Sequence, residues 1–238
     1  MCNQTNVKTE VRNSKVNTNT AEVRGVLNDI KFHHEYLGEQ FYTAAVVVNR
    51  VSGTPDTVPC MVSDRLLSEN DMNNLKGHTV QVTGDIRSYN KKDEDNGKNH
   101  LELFLFAKEF MESSVDSEHI NNVVLAGYVC KEPRKRTTPL GRDIADIMLA
   151  VNRQTYITGT GRSTMKSDYI PCIVWGRNAT YAERIKVGSN IELKGRFQSR
   201  IYAKPIQGTE EKEEKMAFEM SASRITVFDT NDNTDSKK

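Results

Sequence analysis

The sequence predicts an all-β protein made of two similar domains in tandem, and three observations lead to this prediction. Apolar residues alternate with polar ones in short runs, which is typical of half-buried strands. The same landmark residues recur in the same order roughly a hundred residues later. Each repeat has only one segment suited to a helix, which disfavours a parallel βαβ sheet.

The repeat is defined by landmarks whose spacing agrees between the two copies. Gly38 and Gly141 stand at the same distance before an Asn-Arg dipeptide, and Asp56-Thr-Val-Pro-Cys60 matches Asp168-Tyr-Ile-Pro-Cys172. The further matched pairs are Gly25 with Gly127, Asn49-Arg50 with Asn152-Arg153, Gly77 with Gly188, Gly84 with Gly195 and Ser88 with Ser199. Such ordered coincidences indicate two copies of one domain, and 238 residues are enough to hold two small domains.

Composition places the domain boundaries. Polar residues dominate 1–20 and 229–238, which we expect to be disordered tails. The first domain is then 21–111, a short polar linker is 112–120, and the second domain is 121–228. No apolar run approaches the ~20 residues that cross a bilayer, and the first residues lack the apolar segment of a secretory signal, so a cytoplasmic location is expected.

Each domain is predicted to hold five strands with a short helix between the third and fourth, which is the order of a five-stranded OB-fold barrel. In the first domain the strands are predicted near 22–30, 40–51, 57–63, 78–90 and 100–108, with a helix over 65–75. In the second they are predicted near 122–130, 143–153, 168–176, 190–202 and 216–227, with a helix over 178–185. The polar segments 157–167 and 208–215 are predicted to be long hairpin loops.

Charge is distributed unevenly between the two predicted domains. Residues 21–111 hold 10 Lys and Arg against 14 Asp and Glu, whereas residues 121–228 hold 18 against 11. A basic second domain suggests a polyanionic partner.

Cysteines and histidines give no sign of a cofactor or a metal. The cysteines are Cys2, Cys60, Cys130 and Cys172, and none has the spacing of a zinc site, so we expect small buried thiols. His33 and His34 are adjacent, so on a strand their side chains are expected to point to opposite faces, which disfavours a joint metal site.

Strand alternation in the second domain separates a core face from an outer face. Over 169–175 the core face holds Ile170, Cys172 and Val174, and the outer face holds Tyr169, Pro171, Ile173 and Trp175. Over 191–202 the core face is Ile191, Leu193, Phe197 and Ile201, and the outer face includes Arg196, Arg200 and Tyr202. Interleaved aromatics and cations suit a single nucleic-acid strand, because bases stack on the rings while cations follow the phosphates. The alternative is that the aromatics cap the barrel or lie in a subunit interface.

Further basic residues extend this prediction beyond the two strands. Arg134-Lys135-Arg136 is predicted to lie in the first strand-to-strand turn, either as a phosphate clamp or as a solvated loop. The candidate cationic contacts are Arg134, Arg136, Arg153, Arg196 and Arg200.

The first domain lacks the same surface. It has Thr57 and Ser63 at the positions of Tyr169 and Trp175, and Asp85 and Tyr89 at those of Arg196 and Arg200. Arg87, Tyr89, Lys91 and Lys92 remain available to touch a strand. We therefore expect weak binding by this domain and a role mainly in assembly or partner contact.

Several segments of the second domain resemble the bacterial single-stranded DNA-binding protein (SSB) family, in its tandem OB-fold form. They are 122–127, Glu132-Pro-Arg134, Thr138-Pro-Leu-Gly141, 145–151, 168–176 and 188–202. The resemblance implies base stacking at Tyr169, Trp175, Tyr202 and approximately Tyr156. It also implies coating of single-stranded DNA in replication, recombination and repair, association with the nucleoid, and a homodimer of four OB domains. The family's acidic tip ending in Pro-Phe has no counterpart in 232–238, so recruitment of replication and repair proteins through it is not expected.

Two other functions compete with single-stranded DNA binding. A primosomal-replication-protein-like molecule would dock replication partners on a similar fold, with DNA binding secondary, and the stretch 124–130 also fits that family. An enzyme is disfavoured because 159–164 lacks the spacing of a phosphate-binding Walker loop, and because no nucleophile–base constellation can be placed on one surface.

Overall fold

The computed structural model describes residues 18–67, 74–92, 97, 99–138, 140–157, 162–205 and 212–228. Within these residues the chain forms eleven strands and one short α-helix. The strands are β1 Thr18–Tyr36, β2 Glu39–Val48, β3 Asp56–Ser63, β4 Thr79–Lys92, β5 Asn99–Glu112, β6 Ile120–Val129, β7 Arg134–Thr137, β8 Asp143–Ile157, β9 Arg162–Trp175, β10 Asn190–Pro205 and β11 Lys212–Phe228. The helix α1 is Arg177–Ala182, and a 3₁₀ turn spans Asp64–Leu66.

The strands fall into two halves with the same pattern of pairing. In the first half, β1 to β5, the long strand β1 pairs with both β2 and β4, while β3 pairs with β2 and, in parallel, with β5. Because β4 also pairs with β5, the pairings close into a ring. In the second half, β6 to β11, the ring runs β6–β8–β9–β11–β10 and again contains one parallel pair, β9 with β11.

All of the predicted strands overlap observed ones, but several boundaries differ. The predicted N-terminal tail was wrong for residues 18–20, which belong to β1 and pair with β6 from Thr18 opposite Ala126. The predicted loop 157–167 was also wrong in extent, because β8 and β9 pair out to Ile157 opposite Arg162. The loop prediction for 208–215 was wrong for residues 212–215, which belong to β11, while 208–211 lie outside the described residues.

Two further elements differ from the sequence prediction. The Arg134–Arg136 segment is not a turn: it lies in β7, where Arg136 pairs with Ile144 of β8. In the first half, the helix predicted over 65–75 falls partly on 68–73, which lie outside the described residues, and the turn Asp64–Leu66 stands at its start.

Inward side chains of the strands form the core, as alternation predicts. Ile170, Cys172 and Val174 of β9 are buried, as are the β10 side chains Ile191, Leu193 and Phe197. Burying each large side chain of this kind is worth about 1.5–3 kcal/mol. Ile201 was predicted to be a core residue and is instead 63% exposed, because there β10 pairs only with β11, in a hairpin that extends past the ring.

The repeated glycines lie where one strand's backbone crosses close to another. A Cβ atom at Gly25 would collide with the carbonyl oxygen of Val47, and one at Gly127 with that of Ala150. These contacts explain why both halves interrupt an apolar strand with glycine, since any side chain would push the strands apart.

The two halves share a continuous sheet. Strand β1 pairs antiparallel with β6, and Ala21 stands opposite Val123. These two residues are equivalent in the repeat, because each precedes its glycine, Gly25 or Gly127, by four positions. The halves are therefore related by an approximate two-fold axis between Ala21 and Val123.

A buried aspartate of each half binds the other half. Asp168 is 1% exposed, and its carboxylate accepts a hydrogen bond from the Ser88 backbone N–H at 3.0 Å. The Ser88 hydroxyl in turn accepts from the Tyr169 backbone N–H at 2.9 Å. Arg153 Nε lies 2.7 Å from Asp168 Oδ2 and compensates its charge.

The same arrangement recurs with the halves exchanged. The buried carboxylate of Asp56 accepts from the Ser199 backbone N–H at 3.0 Å and pairs with Arg50, whose Nε lies 2.6 Å away. The Ser199 hydroxyl accepts from the Thr57 backbone N–H at 2.9 Å. The Arg, Asp and Ser landmarks of the repeat are thus the parts of two reciprocal locks between the halves.

Candidate nucleic-acid interface

The predicted aromatic residues lie on the outer surface of the second half. Tyr169, Trp175 and Tyr202 are 47%, 37% and 38% exposed. The buried neighbours Ile170 and Val174 turn Tyr169 and Trp175 outward, because successive side chains of a strand alternate between faces. These rings therefore do not fill the core.

The rings are spread out rather than clustered. Tyr169 and Trp175 are six residues apart on β9, which corresponds to about 20 Å along the strand. The Trp175 indole N–H donates to the Ser221 hydroxyl at 3.1 Å, so the ring is held in one orientation on the sheet. Tyr156 lies in β8 opposite Ser163, and its side chain falls outside the described part of the structure.

Arg200 lies beside Tyr202, as an interleaved surface requires. Its guanidinium carbon is 5.7 Å from the centroid of the Tyr202 ring, and its Nε is 3.2 Å from a carboxylate oxygen of Glu219. A planar cation next to an aromatic ring offers one site for a phosphate and one for a base.

Two of the predicted cationic contacts have structural partners instead. Arg153 pairs with Asp168 in the lock described above. Arg196 Nε lies 3.4 Å from Asp56 Oδ2 of the other half, and burial lowers the pKa of its guanidinium. Both guanidinium groups therefore pair with buried carboxylates at the junction of the halves.

The basic residues of β7 are more accessible. Arg136 makes two hydrogen bonds to Asp146, at 2.8 and 3.1 Å, and this carboxylate raises its pKa. Arg134 is exposed and makes no ion pair with any of the described residues. Of the five predicted arginines, Arg134 is thus the one whose charge is uncompensated among these residues.

Sequence reasoning missed an aromatic surface on the outer face of the first half. Phe41, Phe104 and Phe106 lie there, and the Phe41 and Phe106 centroids are 5.9 Å apart. The Arg87 guanidinium lies 3.5 Å from the Phe106 centroid. The signal lies in β5, where inward Leu103 and Leu105 imply that Phe104 and Phe106 point outward.

The expectation that His33 and His34 point to opposite faces was wrong. Their rings contact each other, with centroids 4.8 Å apart and 2.6 Å between the two Nδ1 atoms. A register shift between Phe32 and His34 disturbs the alternation of β1 at this point. The His34 ring then stacks on Phe41 at 5.0 Å.

A large cleft separates the outer surfaces of the two halves. Its volume is about 1310 Å³. One wall belongs to the first half and includes Phe104, Phe106 and Tyr89. The facing wall belongs to the second half and includes Arg200 and Tyr202.

Other chemistry is poorly supported by the described residues. No group of three or more His, Cys, Asp or Glu side chains among them could hold a metal ion. Cys60 and Cys172 are buried free thiols and Cys130 is half-buried, while Cys2 lies outside the described residues. Burial raises the pKa of the Cys60 thiol to about 12, so it is unreactive near neutral pH. No helix in the described ranges has the length and apolarity needed to cross a bilayer.

Comparison with solved structures relates the fold to known proteins. The single-stranded DNA-binding protein of Thermus aquaticus superposes with a TM-score of 0.66, over 88% of this chain and 92% of that one. Its sequence identity is 18%, so this likeness concerns the fold. The chain therefore has the fold of the Thermus aquaticus protein, and the likeness extends over both halves.

Sequence comparison concerns the second half. Residues 120–228 match the model of the single-strand binding protein family. Single-stranded DNA-binding protein A of Bacillus subtilis is 40% identical over 84 residues, which are 35% of this chain and 47% of that protein. Single-stranded DNA-binding protein 1 of Staphylococcus aureus is also 40% identical, over 48% of its length. The chain spans about half the length of these curated relatives, and its residues 120–228 are similar to the single-strand binding protein family.

Proposed function

We propose that this protein binds single-stranded DNA without catalysing a reaction, and that the second half is the main binding domain. The observation that carries the proposal is the outward placement of Tyr169, Trp175 and Tyr202 on the half that matches the family. Aromatic faces of this kind hold bases of any sequence at about 1–3 kcal/mol each. Coating of exposed strands in replication, recombination and repair follows from such sequence-tolerant contacts.

Each half is proposed to be one OB-fold barrel, with the predicted domains at 21–111 and 121–228 joined by a linker at 112–120. Strand β1 extends the first domain back to Thr18, and β5 and β6 reach Glu112 and Ile120 at the two ends of the linker. The two closed rings of strand pairing support this division, as does the fold likeness to the Thermus aquaticus protein over both halves. The short 114–117 turn between β5 and β6 agrees with a linker at this point.

Two kinds of group are proposed to hold the strand. Bases stack on Tyr169, Trp175 and Tyr202, and Tyr156 is proposed as a further ring. Phosphates are contacted first by Arg134 and Arg200. Arg153 and Arg196 contribute less to phosphate binding, because they pair with the buried carboxylates of Asp168 and Asp56. Arg136 also contributes less, because Asp146 engages it through two hydrogen bonds, whereas Arg200 makes one to Glu219.

A homodimer with four barrels, a cytoplasmic, nucleoid-associated location and contacts with replication and repair proteins complete the proposal. They rest on the similarity of the second half to the single-strand binding protein family.

The test is a titration with oligo-dT followed by tryptophan fluorescence. Trp175 is the single tryptophan of the chain, so its emission reports on the proposed surface alone. Binding should quench the emission, and Trp175→Ala should weaken binding measured by anisotropy of a labelled strand by about 1–3 kcal/mol. Trp175→Phe, which keeps an aromatic face, is the matched control and should retain most of the affinity. No measurable binding of oligo-dT by the wild-type chain would refute the proposed function.

A further inference from the structure

The outer face of the first half has its own aromatic pattern. Cys60 pairs with Leu105 as Cys172 pairs with Met220, so Phe104 and Phe106 of β5 take the places of Glu219 and Ser221 of β11. On the second half, the outward aromatic residues Tyr169, Trp175 and Tyr202 belong to β9 and β10. On the first half, the outward aromatic residues belong mainly to β5.

Strand β4 adds a cation and a further ring to this face. Arg87 stands opposite Phe104, and Tyr89 stands opposite Glu102. Tyr89 is 58% exposed, so its ring is open to a ligand. The combination of exposed ring, half-buried rings and guanidinium is the composition that a single strand requires.

Arg87 has an incomplete set of partners. Its Nε is buried and has no hydrogen-bond partner among the described residues. The nearby acid Asp85 is engaged by Lys108 at 2.6 Å, and Asp168 is engaged by Arg153. Burial and the charge of Arg153 lower the pKa of the Arg87 guanidinium, and an anion beside it would raise that pKa by favouring the charged form.

The cleft is large enough for more than one nucleotide. Its volume of about 1310 Å³ exceeds the ~300–1,000 Å³ typical of small-ligand pockets. Arg200 and Tyr202 line the opposite wall, so a strand that stacks on Tyr202 meets the first half on its other side.

We propose that this cleft is a second single-stranded DNA site, in which the first half stacks bases on Tyr89 and Phe104 and sets a phosphate against Arg87. The proposal rests on the proposed function of the chain, and it gives the first half a direct part in binding in place of the weak contact expected from its sequence.

The test compares three variants of the full chain with short and long oligo-dT strands. Tyr89→Ala and Arg87→Gln alter the cleft, and Tyr181→Ala removes an exposed tyrosine of α1 that does not line it. For strands long enough to reach both halves, Tyr89→Ala should weaken binding roughly 5-fold to 150-fold. Arg87→Gln should weaken it as well and lower the salt slope by about one phosphate. Tyr181→Ala should match the wild type.

Two measurements separate the possible failures. The quench of Trp175 by short strands reports on the second half and should be equal in all three variants and the wild type. If wild-type Trp175 is quenched by bound DNA while Tyr89→Ala and Arg87→Gln keep wild-type affinity at every strand length, the cleft proposal is overturned and the proposed function stands. If the wild type binds no DNA, both fall.

Photocrosslinking gives a readout that does not depend on variant folding. A strand containing 5-iodouracil should crosslink wild-type protein at Tyr89, Phe104 or Phe106, as located by peptide mass analysis. Crosslinks confined to the second half would contradict the proposal.

Discussion

Removing one carboxylate from the reciprocal locks should destabilise the whole molecule. Asp168 lies at the junction of the halves, where it accepts from the Ser88 backbone N–H at 3.0 Å and pairs with Arg153 Nε at 2.7 Å. Asp168→Ala removes both acceptors and leaves Arg153 without its counter-charge. Breaking a buried pair in this way costs about 3–5 kcal/mol. Because the Arg153 side chain is 26% exposed and regains some water, we expect about 3 kcal/mol.

The assay is urea unfolding followed by circular dichroism, with Asp146→Ala as the matched control. Asp146 also makes an ion pair with an arginine, Arg136, at 2.8 Å, but the two side chains are 43% and 49% exposed. Exposed pairs contribute about 0–1 kcal/mol, so this control should lose little stability. Asp168→Asn should fall between the two, since an amide oxygen still accepts from Ser88 while the charge is lost.

Equal losses in Asp168→Ala and Asp146→Ala would refute the reasoning, because burial would then have no influence on the value of the pair. A double-mutant cycle with Arg153→Ala checks the assignment further. The two changes should be strongly non-additive if Asp168 and Arg153 act as one unit.

Three further predictions follow from particular residues. Gly127→Ala should lower the free energy of unfolding by about 1–3 kcal/mol, because the added methyl group would meet the Ala150 carbonyl oxygen. A change of less than about 0.5 kcal/mol in urea unfolding would show that β6 and β8 have room for a methyl group at this point. Burial and the neighbouring His34 hold the pKa of His33 below its usual 6.5, so the unfolded chain binds more protons and stability should fall as pH drops below about 6.5. An NMR titration of His33 measures that pKa directly, and a value at or above 6.5 would contradict the predicted lowering. Lys91 and Glu102 are the other charged groups that act on His33. Cys60 should resist alkylation in the folded protein at pH 8 and react in urea, as mass analysis of labelled peptides would show; equal labelling in both states would argue against its burial.

Strand alternation made much of the second half predictable. Ile170, Cys172 and Val174 in an unbroken apolar series require Tyr169 and Trp175 to point outward, and they do. The same rule failed at Ile201, because alternation assigns a face but cannot tell where the barrel ends and a projecting hairpin begins. It failed again at His33, where a register shift in β1 breaks the period of two.

The roles of the arginines depended on contacts between distant parts of the chain. Arg196 looked available because it alternates outward with Arg200, yet its partner Asp56 comes from the other half. Arg153 and Asp168 are both landmarks of the repeat in the sequence, but their contact depends on the register in which β8 pairs with β9. The aromatic face of the first half follows from β5, whose Phe104 and Phe106 stand where β11 has Glu219 and Ser221.

The covalent union of the two halves has a consequence for how a nucleic acid is oriented. Two identical subunits around a two-fold axis present the same surface to a strand running in either direction. Here the halves are equivalent in backbone, while β5 displays Phe104 and Phe106 where β11 displays Glu219 and Ser221. A single chain with such unlike faces at its two ends can distinguish the 5′ from the 3′ side of the strand that lies across it. Duplication within one chain therefore supplies each protomer with a polarity that a symmetric pair of single domains lacks.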